Sequence, residues 1–334
     1  MVRKTQKKPI KNNNSSKKSL LYLATPVYGG WVTMTAHLVL KYNYLLYKVS
    51  SRTETNSRDF GYNVKYRNIS KEELKNLNNI LITAIDKHYY PILEFLPKNV
   101  SIVIHDPTEV KTSTKNPNPL LKYLPKMNII TIRESVKNYL LENHHLKSTF
   151  VKHPFFEYSI PRELIKKSNF AVSISRIDFD KNIEIILEAN QLIKDSNRRV
   201  VLFGAENRLY TYHKLKPLGF KKYYKGKFNK TLPASIQGNN NLLNGVRFVV
   251  DLSVIKNDGG GTQYTFLEAI HQNCCLILHK KWINQKGSIF RDKYNCLVIE
   301  TPEELASILS RNINTKSIIQ NAKKILKSHT QIKW

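Results

Sequence analysis

The chain has 334 residues, 41% hydrophobic and 10% aromatic, with 54 Lys plus Arg against 25 Asp plus Glu and a formal net charge of +29. That excludes a disordered chain, predicts two globular domains and points to a polyanionic partner, nucleic acid first and an acidic membrane surface second, although a Lys-, Asn- and Ile-rich composition of the kind AT-rich genomes encode also inflates Lys. Three Cys, two adjacent at Cys274-Cys275 in an apolar run, exclude a disulfide framework or zinc cluster and predict a reducing, cytoplasmic setting; no apolar run reaches the ~18 residues of a membrane span, and no signal-peptide core follows the basic N-terminus.

Residues 1–18 hold Arg3, Lys4, Lys7, Lys8, Lys11, Lys17 and Lys18 and no acid, which predicts a disordered basic tail that either solubilises or gathers nucleic acid. The first domain, 19–156, opens with an apolar strand, Ser19 to Ala24, then Thr25-Pro26-Val27-Tyr28-Gly29-Gly30-Trp31 and a helical pattern through Met34, His37, Leu38 and Leu40. Gly29 and Gly30 let a backbone approach a ligand at a helix N-terminus; without dinucleotide-fingerprint spacing they also suit a plain turn. Further strands are expected at Tyr44 to Val49, Val64 to Tyr66, Ile80 to Thr83, Val100 to Ile104 and Asn128 to Ile132. Helices are expected at Lys71 to Leu77, Tyr90 to Phe95 and Val136 to Glu142.

Such alternation predicts an α/β fold with a parallel, doubly wound sheet that binds ligands beyond the carboxyl ends of its strands. The strand ending at Ile104 runs straight into His105-Asp106-Pro107, which sets a His and a carboxylate at that edge, with turn chemistry before a Pro as the plainer alternative. Asp86, Lys87 and His88 follow the preceding strand and are expected at the same crevice.

Val151-Lys152-His153-Pro154-Phe155-Phe156 and Tyr158-Ser159-Ile160-Pro161 read as a connection to a second α/β domain, 157–334, enclosing a cleft with the first. Its strands are expected at Phe170 to Ile174, Arg199 to Phe203, Phe220 to Tyr224, Val246 to Leu252 and Cys274 to Leu278, with helices from Pro302 to Ser310 and Ser317 to Lys327. Arg176 and Lys181 fall in the first strand-to-helix turn. An Arg fork, a Lys point charge and a helix N-terminus suit a diphosphate; spacing alone is equally compatible with two solvated loop charges.

Asn257-Asp258-Gly259-Gly260-Gly261-Thr262-Gln263-Tyr264 leads from a strand to a helix carrying Leu267-Glu268-Ala269. Consecutive glycines there expose N–H groups to an anion, and a Glu two turns on reaches a ribose diol; an Asp-Gly turn before a capped helix is the alternative. Between Glu206 and Asp251 no acid occurs, while Lys214, Lys216, Lys221, Lys222, Lys225, Lys227 and Lys230 interleave with Tyr210, Tyr212, Tyr223, Tyr224 and Phe228. This suits a phosphate backbone and an unstacked base, or a solvated loop in a Lys-rich protein.

Together these residues resemble the retaining glycosyltransferases of the GT-B fold. That family carries an Arg, four residues and a Lys after a strand, here Arg176 and Lys181 before a helix with Leu187-Glu188-Ala189. It also carries an acid, a Gly-rich loop and a Glu within Leu-Glu-Ala, here Asp258, Gly259 to Gly261 and Glu268. The two acids stand farther apart here than in the family, which weakens the match at Asp258. Within the family, Phe203 to Arg208, Lys216 to Gly226, Ile104-His105-Asp106 and Tyr264 to Glu268 are similar to the DNA α-glucosyltransferases of T-even phages.

The resemblance implies two Rossmann-like doubly wound domains facing a cleft. It implies a virus-encoded enzyme of the host cytoplasm that moves glucose from UDP-glucose, with retention, to hydroxymethylated cytosine or uracil in double-stranded DNA and so shields that DNA from nucleases. By resemblance Arg176 and Lys181 hold the donor diphosphate, Glu268 the ribose, and Asp258, Gly259, Gly260, Gly261 and Thr262 the sugar and phosphates, with Gly29 and Gly30 also on the donor. Asp106 handles the acceptor proton, His105 contacts the sugar, and Lys214, Lys221, Lys222, Tyr223, Tyr224 and Lys225 meet DNA. A monomer with no required cofactor is expected, with a divalent ion left open. The alternative is a GT-B enzyme acting on a glycan, lipid or protein.

Overall fold

The computed structural model describes residues 18–27, 29–49, 64–111, 117–159, 170–226, 242–254 and 261–334. Residues 1–17 of the basic tail, Tyr28, Lys227, Phe228, Lys230, Asp258, Gly259 and Gly260 lie outside them. The described strands form two sheets.

In the first sheet, β1 (Ser19–Leu23), β2 (Leu45–Val49), β3 (Arg67–Ile69), β4 (Ile80–Ile85), β5 (Ser101–Ile104), β6 (Asn128–Thr131) and β7 (Thr149–Phe150) run in the order β3-β2-β1-β4-β5-β6-β7. Every pairing is parallel, with Ser19 opposite both Leu45 and Ile80. Both β1 and β4 are buried throughout, as expected of apolar runs covered on both faces. Helix α1 (Gly30–Tyr42) is buried at every residue from Val32 to Leu38, so it passes through the interior. It begins after Gly29, whose φ of 110° favours glycine, and ends at Asn43 in the left-handed region. Helix α2 (Glu134–His144) follows β6.

The second sheet contains β8 (Ala171–Ile174), β9 (Val200–Phe203), β10 (Phe248–Asp251), β11 (Cys275–His279) and β12 (Leu297–Ile299) in the order β12-β11-β10-β8-β9, again all parallel. With it go α3 (Ile183–Leu192), α4 (Tyr264–His271), α5 (Pro302–Ser310) and α6 (Lys316–Thr330). Helix α5 starts at a reciprocal Thr301/Glu304 capping box with Pro302 in its first turn, so its boundary is written in the sequence. The three cysteines are free and buried. No helix among the described residues is long and apolar enough to cross a membrane.

Four expectations are corrected. Phe220–Tyr223 is a short helix, and of the expected strand only Tyr224 pairs with the sheet, through a single bridge to Leu202. Its aromatic residues have strand propensity, but Gly219, with φ 73°, turns the chain into a helical turn that buries Phe220 and Tyr223. The strand expected at Val64 to Tyr66 forms at Arg67–Ile69. Lys71 to Leu77 yields only a 3₁₀ turn, Glu73–Asn76, held by reciprocal Ser70–Glu73 bonds. Tyr90 to Phe95 belongs to a longer 3₁₀ helix, Lys87–Phe95, which contains Pro91, a residue with no N–H to give an α-helix.

A buried seam joins the two sheets. The His37 ring of α1 stacks between Phe155 and Tyr264, with centroids 4.7 and 5.0 Å away, and its Nδ1 accepts the Phe156 N–H at 2.9 Å. Past α6 the chain returns to the first sheet's side. Lys41 Nζ donates to the His329 and Ile332 carbonyls, Tyr44 to the Trp334 carbonyl, and Trp334 Nε1 to the Lys152 carbonyl.

Candidate active site

In the second sheet the chain leaves β8 for β9 on one side and returns with β10 on the other. The switch point therefore lies at the carboxyl ends of β8 and β10, where doubly wound sheets bind ligands. The turn 175–182 and the loop 252–254 line it and are stitched together. Lys181, its side chain only 7% exposed, donates to Ser253 Oγ at 2.9 Å and stands 3.3 Å from Asp180 Oδ2. Ser253 N donates to Asp251 Oδ1 at 3.0 Å, Asn182 Nδ2 to the Leu252 carbonyl at 2.7 Å, and Val254 N to the Asp180 carbonyl at 2.9 Å. The buried ammonium is thus fixed at the crevice.

Arg176, by contrast, is 63% exposed. Its Nη1 lies 3.6 Å from Asp178 Oδ2 and its Nη2 4.0 Å from Asp180 Oδ2. The spacing of two cations drew attention in the sequence; the two acids between them did not, and they leave the turn with balanced charge. Asp178 Oδ1 also accepts from Phe179 N and Asn207 Nδ2, each at 2.9 Å, tying the turn to the segment after β9. There Gly204 packs on the turn so closely that a Cβ would collide with the Ser175 carbonyl oxygen and lie 2.8 Å from its carbon. At the N-terminus of α3, expected to aid a phosphate, the Ile183 N–H is already taken by the Tyr210 hydroxyl at 3.0 Å.

The first sheet has its own switch point, between β1 and β4. Thr25 donates from N and Oγ1 to Asp86 Oδ2, at 2.7 and 2.9 Å, so Asp86 ties the two strand ends together. At the end of β5, buried His105 meets the Thr83 carbonyl at 2.7 Å through Nε2. Burial, aided by the Arg133 charge, outweighs that bond and lowers the imidazole to about 4. The ring is neutral, with its proton on Nε2 and a lone pair on Nδ1. Asp106 accepts from Thr108 N at 2.9 Å and stands 3.8 Å from Arg133 Nη1.

Sequence reasoning missed Glu109. Its Oε1 accepts from the Trp31 indole at 3.0 Å and its Oε2 from His105 N at 3.2 Å. Burial pushes this carboxyl up to about 8 against the pull of both bonds. Asp106 and Glu109 have capping-box spacing, which was the available signal. Gly29 and Gly30 immediately precede Trp31 in the chain, and open space surrounds the place where either would carry a Cβ.

Glu268 is fully buried in the seam. Tyr158 donates to its Oε2 and His37 Nε2 stands 3.5 Å from Oε1, so a ribose reaches this carboxylate only if those partners give way. Gly261 and Thr262 precede α4, and Thr262 Oγ1 faces His329 Nε2 at 3.3 Å. His153 connects the two edges: it packs edge-on against Tyr264, 5.1 Å between centroids, while burial and then Arg133, His329, His105 and His37 hold it well below the usual range.

In the basic segment, Lys214, Lys221, Lys222 and Lys225 are exposed. Tyr223 is buried, and Tyr224 donates to the Gly204 carbonyl at 2.8 Å; these rings are a scaffold under the cations rather than open stacking surfaces. Among the described residues no group of three or more His, Cys, Asp or Glu is placed to hold a metal ion.

The two parallel sheets, each with a switch point at the carboxyl ends of its strands, have the GT-B fold. No protein-family model matches the chain, and no curated protein does. Solved structures do. Anabaena Alr3699/HepE in complex with UDP is similar over 94% of this chain and 95% of its own, with a TM-score of 0.64 and 13% identity. An alpha-glucosyltransferase in complex with UDP and a 13-mer DNA containing a central A:G mismatch is similar over 95% and 94%, with a TM-score of 0.61 and 11% identity. A glycosyltransferase from Rickettsia africae matches over 94% of both chains, at 0.56 and 14%.

Proposed function

We propose that the chain is a retaining glucosyltransferase that moves glucose from UDP-glucose to hydroxymethylated bases in DNA. The observation that carries this reading is the buried Lys181 fixed at the β8/β10 switch point, in a fold whose neighbours bind UDP, UDP-glucose, or UDP together with DNA. The donor diphosphate lies against Arg176 and Lys181, which stabilise the charge that the nucleoside diphosphate gains as it departs. Gly261, Thr262 and the N-terminus of α4 border the phosphates and sugar, with Asp258, Gly259 and Gly260 completing that loop and Gly29 and Gly30 opposite. Glu268 takes the ribose once Tyr158 has moved off it.

The acceptor enters over Trp31, His105 and Asp106. As its hydroxyl oxygen bonds to the sugar's anomeric carbon and the bond to UDP breaks, Asp106 handles the hydroxyl proton and the Nδ1 lone pair of His105 accepts from a sugar hydroxyl. The exposed Lys214, Lys221, Lys222 and Lys225, within a chain of net charge +29, track the phosphate backbone while the target base leaves the stack. Such a product resists nucleases, the role expected of a virus-encoded enzyme in its host's cytoplasm.

Incubating the protein with labelled UDP-glucose and duplex DNA, with or without hydroxymethyl bases, tests the reading. Label is expected only in the hydroxymethylated DNA. Label entering an added glycan or lipid while DNA stays unlabelled overturns the acceptor, and a protein that neither transfers label nor binds UDP overturns the enzyme class.

A further inference from the structure

We infer that Asp180 is a built-in counter-ion of the donor site, a carboxylate that occupies the diphosphate's place between Arg176 and Lys181 and makes the site select diphosphates over single phosphates. The inference rests on the donor reading of that turn. A single atom, Asp180 Oδ2, faces both cations, 3.3 Å from Lys181 Nζ and 4.0 Å from Arg176 Nη2. With Asp178 Oδ2 also 3.6 Å from Arg176 Nη1, two cations and two carboxylates balance.

Mobility is distributed in a way that suits displacement. The Asp180 backbone is pinned, its carbonyl accepting from Val254 N at 2.9 Å, and Lys181 is buried and bonded to Ser253 Oγ, so neither follows an incoming anion. The Asp180 carboxylate is 33% exposed, has solvent to turn toward, and is held by charge alone among the contacts just described. An anion bearing one phosphate replaces one of its two ion pairs and meets its negative charge on the other side. A diphosphate spans both cations, replaces both pairs and releases the carboxylate to water. Repulsion between like charges a few ångströms apart is large at a half-buried site, so the counter-ion weakens every anion but penalises the short ones most.

Binding of UDP, UMP and inorganic phosphate to the full chain, measured calorimetrically, tests this in the wild type, Asp180→Asn and Asp195→Asn. Asp195 lies before β9, pairs with Arg198 and makes the same change in net charge away from the crevice. Asp180→Asn is expected to bind UDP about tenfold more tightly and to narrow the preference for UDP over UMP, with Asp195→Asn unchanged. Wild-type binding of UDP with equal or weaker binding by Asp180→Asn overturns the inference, because the carboxylate then only orients Lys181. Equal tightening in both variants overturns it as a general charge effect. A wild type that binds no UDP at fully folded circular dichroism overturns the donor reading itself.

Discussion

Glu109 shows how a single carboxyl can organise an edge. It holds the Trp31 indole with one oxygen and the His105 backbone with the other, so the Trp31 ring and the start of the His105 turn are set by one side chain. Because burial raises its folded value to about 8, it keeps its proton where the unfolded chain has already released it. Its contribution to stability is therefore full below about 4.5 and disappears as pH rises through about 8. Glu109→Gln, which mimics the protonated acid, removes that dependence. Between pH 5 and 9 the wild type is expected to lose about 4 kcal/mol more than the variant in urea unfolding; parallel losses would show that Glu109 does not hold the proton. His105 and Asp106 were legible because an apolar strand runs directly into them. Glu109 offered only its capping-box spacing from Asp106, and Asp178 and Asp180 show their balancing role only in three dimensions, where they face Arg176 and Lys181.

At the scale of elements, the sequence revealed the strands buried on both faces and also the partly exposed β2, β6 and β9. β1, β4, β5, β8 and β10 are short apolar runs that only a covered parallel strand explains. Legibility failed where local and tertiary preferences diverge: at Phe220–Tyr223, whose rings favour a strand but whose preceding Gly219 sets a helical turn, and at β7 and β12, too short to rise above the loops around them. Gly204 carried no local signal of its importance, yet it decides how β9 meets the Arg176 turn. Gly204→Ala must push backbone against backbone, since the obstructing atoms belong to the Ser175 peptide. The variant is expected to unfold about 2 kcal/mol more easily and to bind UDP more weakly than its residual folded fraction explains. Thermal melts with and without UDP check it: an unchanged melting temperature would mean that the strand shifts freely, and a melting point rescued to the wild-type increment by UDP would mean that the turn regains its shape.

For the whole molecule, charge and alternation were visible in the sequence, whereas the seam was not, because its members come from positions far apart: His37, Phe155, Tyr158, Tyr264, Glu268 and His329. Burial in the seam disfavours the charged form of His153 and His329. His329 Nδ1 donates to the His153 carbonyl at 2.8 Å, and burial, with help from Lys152 and Lys41, lowers its ring to about 4 despite that bond. His153 lies well below the usual range for the reasons given above. A depressed imidazole supports the fold above about 6.5, where both states are neutral, and loses that support as pH falls toward 4, where the unfolded chain has already bound its proton. Acidification should therefore loosen the join between the sheets while Glu109, just past the end of β5, pulls in the opposite direction. His329→Asn keeps a donor for the His153 carbonyl and removes one titrating ring. Between pH 7 and 4.5 it is expected to lose about 2 kcal/mol less than the wild type in unfolding followed by far-UV circular dichroism. Identical acid losses in both proteins would mean that the seam's imidazoles do not set the molecule's acid limit.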